Sequence, residues 1–91
     1  MYIFIDHYDV VEAKKIISIL DYQLIETSIP LQQLIEDRKQ HQQLIGNEEE
    51  AKSIIITDDH IYLSSLSTYT LKKREGLASS TSYLDKYEYE R

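Results

Sequence analysis

The residues best suited to chemistry in this sequence are a basic triplet, Lys72-Lys73-Arg74, and short groups of acidic and imidazole side chains. The triplet lies in a segment whose apolar residues recur at helical spacing, so its side chains would reach the phosphate oxygens of DNA from one helix. We therefore predict Lys72, Lys73 and Arg74 as DNA contacts. The alternative is a solvated helix face partly balanced by Glu75, since three charges make a small footprint.

Two groups of acidic and imidazole side chains could gather a cation: Asp6-His7 with Asp9, and Asp58-Asp59-His60. Neither has the ligand spacing of a known metal motif, and Asp and His are common in solvated turns. The hydroxyl-rich stretches at 64–70 and 79–82 have no paired base, so helix caps and turns explain them. We predict no catalytic residue and no metal site.

The composition of the chain excludes some classes of function. The chain has two glycines, at 46 and 76, so it cannot form the glycine-rich phosphate loop of a P-loop ATPase and is not such an enzyme by itself. Its net charge of −6 opposes nonspecific attraction to DNA. The acidic groups could instead imitate phosphates and occupy a DNA-binding protein, although a solvated surface explains them equally well; these groups are Glu48–Glu50, Asp58-Asp59 and Asp85, Glu88 and Glu90.

The location expected from the sequence is the cytoplasm. The chain has no cysteine, which fits a reducing compartment. Its apolar runs stay well short of the roughly 20 residues that cross a bilayer, and the N-terminus lacks the basic segment and longer apolar core of a secretion signal. We expect a soluble protein with no membrane contact.

Periodicity predicts the elements that must position these residues. Tyr2–Ile5 is a short strand, expected to pair with a later hairpin. Asp9 and Glu12 have capping-box spacing, and they open a predicted first helix whose face is Val10, Ala13, Ile17, Leu20 and Leu24. Pro30 begins a second helix, which ends between Gln40 and Gly46. Ser53–Thr57 and His60–Leu63 form a hairpin around Asp58-Asp59, and a third helix follows it.

Together these elements predict an α+β, winged-helix-like fold with about three helices and a small antiparallel sheet or hairpin. The predicted domain is 1–78, and 79–91 is a marginal C-terminal helix or tail. The predicted core consists of Val10, Ile17, Leu20, Leu31, Leu34, Ile54, Ile56, Ile61 and Leu63.

Four stretches, read in order, resemble one region of RecD/TraA-type DNA helicases, the accessory segment just ahead of the ATPase core. They are Tyr2-Ile3-Phe4-Ile5, Ala13-Lys14-Lys15-Ile16-Ile17, Leu31-Gln32-Gln33-Leu34-Ile35-Glu36-Asp37 and Asp59-His60-Ile61-Tyr62-Leu63-Ser64-Ser65-Leu66. Glu75-Gly76-Leu77-Ala78 is similar to the helix that follows in that family.

The resemblance implies a non-catalytic accessory domain of an ATP-dependent helicase, with DNA or the helicase motor domain as its partner. ATP and Mg²⁺ would belong to that parent enzyme, and we expect no cofactor in this chain. The alternative function is a free-standing acidic regulator or inhibitor, of phage or plasmid type, that binds a host protein.

Overall fold

The computed structural model describes residues 1–6 and 9–79, with side chains through residue 76. Its strands are β1 (Tyr2–Phe4), β2 (Val10–Glu12), β3 (Ile16–Asp21), β4 (Leu44–Ile45), β5 (Ser53–Thr57) and β6 (Ile61–Ser64). Its helices are α1 (Ile29–Gln40) and α2 (Thr68–Ser79), and 3₁₀ turns occupy Ala13–Lys15 and Tyr22–Glu26.

Within the described residues the strands form a sheet of order β3-β5-β6-β4 and a separate antiparallel ribbon, β1-β2. In the sheet, β5 pairs antiparallel with both β3 and β6, whereas β4 pairs parallel with β6. The inner strands β5 and β6 therefore come after both outer strands in the chain. The class is α+β, as predicted.

The predicted winged-helix arrangement is wrong. The described part of the chain holds two helices and a mixed four-stranded sheet with a two-stranded ribbon, instead of three helices and a small hairpin. The sheet is the centre of the molecule, and each of its sides is covered. The ribbon and α2 cover one side, and α1 with its preceding 3₁₀ turn covers the other.

The hairpin at Asp58-Asp59 is confirmed. β5 and β6 pair with Ile56 opposite Ile61, and the Thr57 amide donates to the His60 carbonyl at 2.9 Å. Three consecutive isoleucines in β5 serve both sides of the sheet, because successive strand side chains point in opposite directions. Ile55 packs under the ribbon, and Ile54 and Ile56 pack under α1.

The two later helices also form where the sequence predicts them. Ser28 caps α1 by accepting a hydrogen bond from the Leu31 amide at 3.2 Å, and Pro30 lies in the first turn, where no amide hydrogen is needed. Ser67 accepts from the Thr70 amide at 3.2 Å at the start of α2. The predicted domain boundary at residue 78 stays a prediction, since the tail from residue 80 lies outside the described residues.

The predicted first helix is wrong. Residues 10–21 form β2, a 3₁₀ turn and β3, and Tyr2–Phe4 pairs with β2 and not with the later hairpin. The turn at Ala13–Lys15 shifts the strand alternation, so the apolar residues on either side of it come to mimic helical spacing. The segment is rich in Val and Ile, which are stiff at χ1 and favour strands.

The predicted core is corrected accordingly. Leu31, Ile54, Ile61 and Leu63 are buried, and Leu20, Leu34 and Ile56 pack against them while partly buried. Val10 and Ile17 are exposed, at 43% and 67%. Ile17 lies at an irregularity in the pairing of β3 with β5, which turns its side chain away from the core.

Candidate functional site

The ribbon presents apolar side chains to solvent on its outer face. Its register places Phe4 opposite Val10 and Ile3 opposite Val11. Ile3 and Val11 point inward and are buried, so strand alternation turns Tyr2, Phe4 and Val10 outward. Tyr2 and Phe4 are 66% and 62% exposed. We call Tyr2, Phe4 and Val10 the ribbon face.

The ribbon is held firmly on the sheet. The buried Ser64 hydroxyl donates to the Ile5 carbonyl and accepts a hydrogen bond from the Leu66 amide at 3.0 Å. The Ala13 amide donates to the Met1 carbonyl at 2.8 Å, and the Arg74 guanidinium on α2 donates to the Phe4 carbonyl at 2.8 Å. These hydrogen bonds fix the backbone of the ribbon against the sheet and α2.

A cavity of about 290 Å³ opens between the ribbon and the turn that joins β5 to β6. The side chains of Tyr2 and Val10 line it as well as forming part of the ribbon face, and Tyr62 forms another wall. Its charged or titratable lining groups are Glu12, Lys15, Asp59 and His60. We call this cavity the turn cleft.

The turn itself is a local hydrogen-bond network. His60 Nδ1 lies 3.0 Å from Asp59 Oδ1, and the Thr57 hydroxyl accepts from the His60 amide at 3.0 Å. The hydrogen bond from His60 is the main reason that the pKa of Asp59 lies below its ordinary value. Asp59 is consequently a carboxylate across the physiological range.

Nearby charges, including that of Asp59, also affect the pKa of Tyr62. Burial raises the pKa of its phenol, and the nearby carboxylates of Asp59 and Asp9 raise it further. Tyr62 therefore stays neutral at physiological pH. Its ring lies 6.0 Å from the His60 ring, centroid to centroid, at an angle of 38°. The cleft thus combines aromatic rings with the carboxylates of Glu12 and Asp59 and the ammonium group of Lys15.

Comparison with known proteins places the chain in a family. A sequence model described as RemA-like, extracellular matrix regulatory protein A-like, matches residues 3–74. The chain belongs to the RemA-like family. The match spans the ribbon, the sheet and the first part of α2. No curated protein matches the chain significantly.

Membership of the RemA-like family overturns the helicase resemblance. The chain is not a region of a RecD/TraA-type helicase, so an ATP-dependent parent enzyme and a helicase motor domain as partner no longer apply. The stretches that suggested a helicase are short apolar runs, and in this RemA-like fold they are parts of β1, β3, α1 and β6. The regulatory description of the family fits the alternative function, a regulator, better.

The predicted DNA contacts lie on α2 of the RemA-like chain. Lys72, Lys73 and Arg74 are all exposed. The structure brings Arg74 to the ribbon, where its guanidinium donates to the Phe4 carbonyl, so Arg74 borders the ribbon face. Its role as a DNA contact stays a prediction.

Of the other predicted groups, Asp9 and the Asp58-Asp59-His60 turn come near each other, since Asp9 and Asp59 both act on Tyr62. Glu48–Glu50 form a turn, in which Glu48 pairs with Lys39 of α1 at 3.2 Å. Among residues 1–6 and 9–79, no group of three or more His, Cys, Asp or Glu is placed to hold a metal ion. His7 and the acidic residues of the tail lie outside the described residues. Neither described helix has the length and apolar content to cross a membrane.

Sequence reasoning missed the ribbon face. The sequence predicts Tyr2–Ile5 as a strand, but with the later hairpin as its partner, and it predicts Val10 on the buried face of a helix. The signal was present in the alternation of Tyr2 and Phe4 with Ile3 and Ile5. The turn cleft could not be predicted, because no local pattern in the sequence indicates that residues 10 and 60 lie close together.

Proposed function

We propose that this RemA-like chain is a non-catalytic, cytoplasmic regulator that acts by binding another protein through the ribbon face. The observation that carries the proposal is the exposure of Tyr2, Phe4 and Val10 on one side of a ribbon whose opposite side is buried. Aromatic side chains grouped on a surface are typical of protein-binding sites. The description of the family as regulatory supports the same reading.

The charge of the chain favours a protein over DNA at this face. DNA affinity comes mainly from Lys and Arg that displace counterions, and the net charge here is −6. Apolar side chains gain nothing from a phosphate backbone. Full burial of one large apolar side chain contributes about 1.5 to 3 kcal/mol, so the three side chains of the ribbon face contribute at most about 4.5 to 9 kcal/mol together. That range supports an affinity no tighter than roughly millimolar to micromolar. A specific complex therefore needs polar contacts beside it.

A photo-crosslinking experiment tests the proposal. p-Benzoylphenylalanine at position 4 should give a discrete adduct with a different protein when cells of the source organism are irradiated. The matched control places the same residue at Ile29, which is 59% exposed but lies on α1. An adduct at position 4 and none at position 29 supports the proposal. No adduct at position 4, an adduct of twice the chain mass, or equal adducts at both positions would contradict it.

DNA binding through Lys72, Lys73 and Arg74 is the second candidate function, and the exposure of these three side chains on α2 supports it. If all three contact phosphates, the logarithm of the affinity should fall with the logarithm of the salt concentration with a slope of about −2.7. Replacing the two lysines by Ala should bring the slope to about −0.9. Absence of binding at low salt, or a slope that the substitutions leave unchanged, would rule out this role.

A further inference from the structure

A second cavity lies at the end of the sheet opposite the β5–β6 turn, where three segments of the chain meet. Residues 21–23 at the end of β3, 51–52 ahead of β5 and 67–68 at the start of α2 line it. Its volume is about 380 Å³. That volume lies within the range of small-ligand sites, which runs from about 300 to 1,000 Å³. We call it the end cavity.

Hydrogen bonds hold the three segments around the end cavity. The Tyr22 amide donates to the Lys52 carbonyl at 3.0 Å, and the Lys52 amide donates to the Ser64 carbonyl of β6 at 2.7 Å. The buried Ser53 hydroxyl donates to the Leu66 carbonyl, just before α2, at 2.6 Å. These bonds tie the walls of the cavity to the inner strands of the sheet.

The end cavity carries one charge of each sign. Among the described residues its charged lining groups are the Asp21 carboxylate and the Lys52 ammonium group, and both side chains are exposed. In the part of the chain that the structure describes, neither group forms an ion pair within 4.0 Å. Asp21 Oδ1 accepts a hydrogen bond from the Gln23 amide at 2.9 Å, which orients the carboxylate. The two charges therefore do not neutralise each other by direct contact, and both can meet a ligand.

This pair of charges selects the class of ligand. A purely anionic ligand would meet the Asp21 carboxylate and the net charge of −6, and a purely cationic ligand would meet the Lys52 ammonium group. A small zwitterion satisfies both groups, because it carries one charge of each sign. Tyr22 and Ala51 also line the cavity, and their carbon atoms suit the short carbon chain of such a ligand.

We propose that the end cavity binds a small zwitterion of the amino-acid class, with its carboxylate at Lys52 and its ammonium group at Asp21. The bound molecule would contact β3, the start of β5 and the start of α2 together. The site shares no residue with the ribbon face, so it goes beyond the proposed function and does not depend on it.

Titration of the ¹⁵N-labelled chain with glycine, γ-aminobutyrate and ε-aminocaproate tests the proposal, because these zwitterions hold their charges at increasing separation. At least one of them should shift the amide signals of Tyr22, Lys52 and Thr68 and leave those of Tyr2 and Phe4 in place. The amide and the N-acetyl derivative of that compound each lack one of the charges. Each should bind about two- to fivefold more weakly, the range expected for an exposed ion pair.

Variants identify the two groups that bind the ligand. Lys52→Gln and Asp21→Asn should each weaken the zwitterion by about two- to fivefold, and Asp21→Asn should not weaken the N-acetyl derivative, which has no ammonium group. The side-chain oxygen of Asn can still accept from the Gln23 amide, so this variant keeps the local turn. The matched controls, Lys14→Gln and Asp58→Asn, each remove one exposed charge at the other end of the sheet and should leave the affinity unchanged.

Three results would overturn the proposal. The first is that none of the three zwitterions shifts the signals of the end cavity at millimolar concentration. The second is that the singly charged derivatives bind as tightly as the zwitterion. The third is that the two controls weaken binding as much as Lys52→Gln and Asp21→Asn, which would indicate a general effect of charge. None of these results bears on the proposed function, because crosslinking at position 4 reports on a different surface.

Discussion

The two sides of the central sheet are covered in different ways. On the α1 side, Leu31 and Ile35 face the sheet, and the outer surface of α1 is mostly polar, with Glu36 and Asp37 exposed. On the ribbon side, Ile3 and Val11 face the sheet, but the outer surface carries Tyr2 and Phe4. Both covers bury a similar apolar cluster. On the α1 side Leu24 and Ile29 are the exposed apolar side chains, whereas the ribbon groups Tyr2, Phe4 and Val10 on one outer face.

This difference separates an element that only covers the sheet from one that also presents a surface to another molecule. A helix that only covers a sheet needs one apolar stripe, and water favours polar residues elsewhere on it. Stability does not require large aromatic side chains on the solvent side of a ribbon. Their presence on the ribbon, and the polarity of α1, direct the search for a partner to one side of the molecule.

Substitutions at two adjacent core residues of β5 should affect the two sides of the sheet separately. Ile54→Ala and Ile55→Ala each empty a fully buried site and should lower the free energy of unfolding by about 4 kcal/mol. Hydrogen exchange should rise in α1 for the first variant and in the ribbon for the second, since the two side chains point to opposite sides. The comparison fails if both variants loosen the same cover.

The backbone conformation of Gly46 allows a test of packing on the α1 side of the sheet. It has a φ of +124°, and an added Cβ would collide with the backbone of Leu63 in β6. Gly46→Ala should lower the free energy of unfolding by about 3 kcal/mol in urea denaturation. Gly76→Ala is the control: a Cβ there meets nothing within 4 Å, and in a helix it should stabilise by about 0.5 to 1 kcal/mol.

Ser64 tests the anchoring of the ribbon. Ser64→Ala leaves the Ile5 carbonyl and the Leu66 amide without this hydrogen-bond partner, so the free energy of unfolding should fall by about 1 to 2 kcal/mol. Ser65→Ala removes a longer contact of 3.3 Å to Asp6 and should change stability by less than about 0.5 kcal/mol. Equal effects in thermal unfolding would mean that the buried hydroxyl does not hold the ribbon.

The outer face of the ribbon should contribute little to stability. Phe4→Thr replaces an exposed aromatic by a residue that also favours strands, so the free energy of unfolding should change by less than about 0.5 kcal/mol. Ile3→Thr, one residue earlier and buried, should lower it by about 2 kcal/mol. A large loss for Phe4→Thr would show that the ribbon face is part of the core.

The smallest expected effect is the titration of Asp59. Because folding lowers the pKa of Asp59 below its ordinary 3.8, its contribution to stability is present above that pH and is lost as the pH falls through the lowered value. His60→Ala removes the main cause, so the pKa of Asp59 should rise toward 3.8 when followed by NMR. An unchanged pKa would mean that the hydrogen bond from His60 is not formed in solution.

Local signals in the sequence were sufficient for part of the fold. Asp58-Asp59 between β-prone runs predicts the hairpin, and Ser28 with Pro30 predicts the start of α1. These local signals predict the wrong structure between residues 9 and 24. The 3₁₀ turn at Ala13–Lys15 interrupts the alternation of inward and outward side chains between β2 and β3. The density of Val and Ile there was the available signal for strands.

The candidate site was less accessible to prediction than the fold. Phe4 lies against Arg74 across most of the chain, and the turn cleft joins Val10 to His60. Such pairings depend on strand order, and the parallel pairing of the two-residue β4 with β6 has no local pattern at all. The basic triplet could be found from its charges alone, but its position beside the ribbon could not.

The order of the strands in the chain also bears on how the protein is synthesised. Both border strands of the sheet leave the ribosome before the hairpin that fills the middle. Until β5 has emerged, β3 has no neighbour to bond, and β4 has none until β6 follows, so the sheet cannot be completed before residue 64. Most distant contacts must then form together, so we expect folding to be late, cooperative and slow relative to a helical protein of this length.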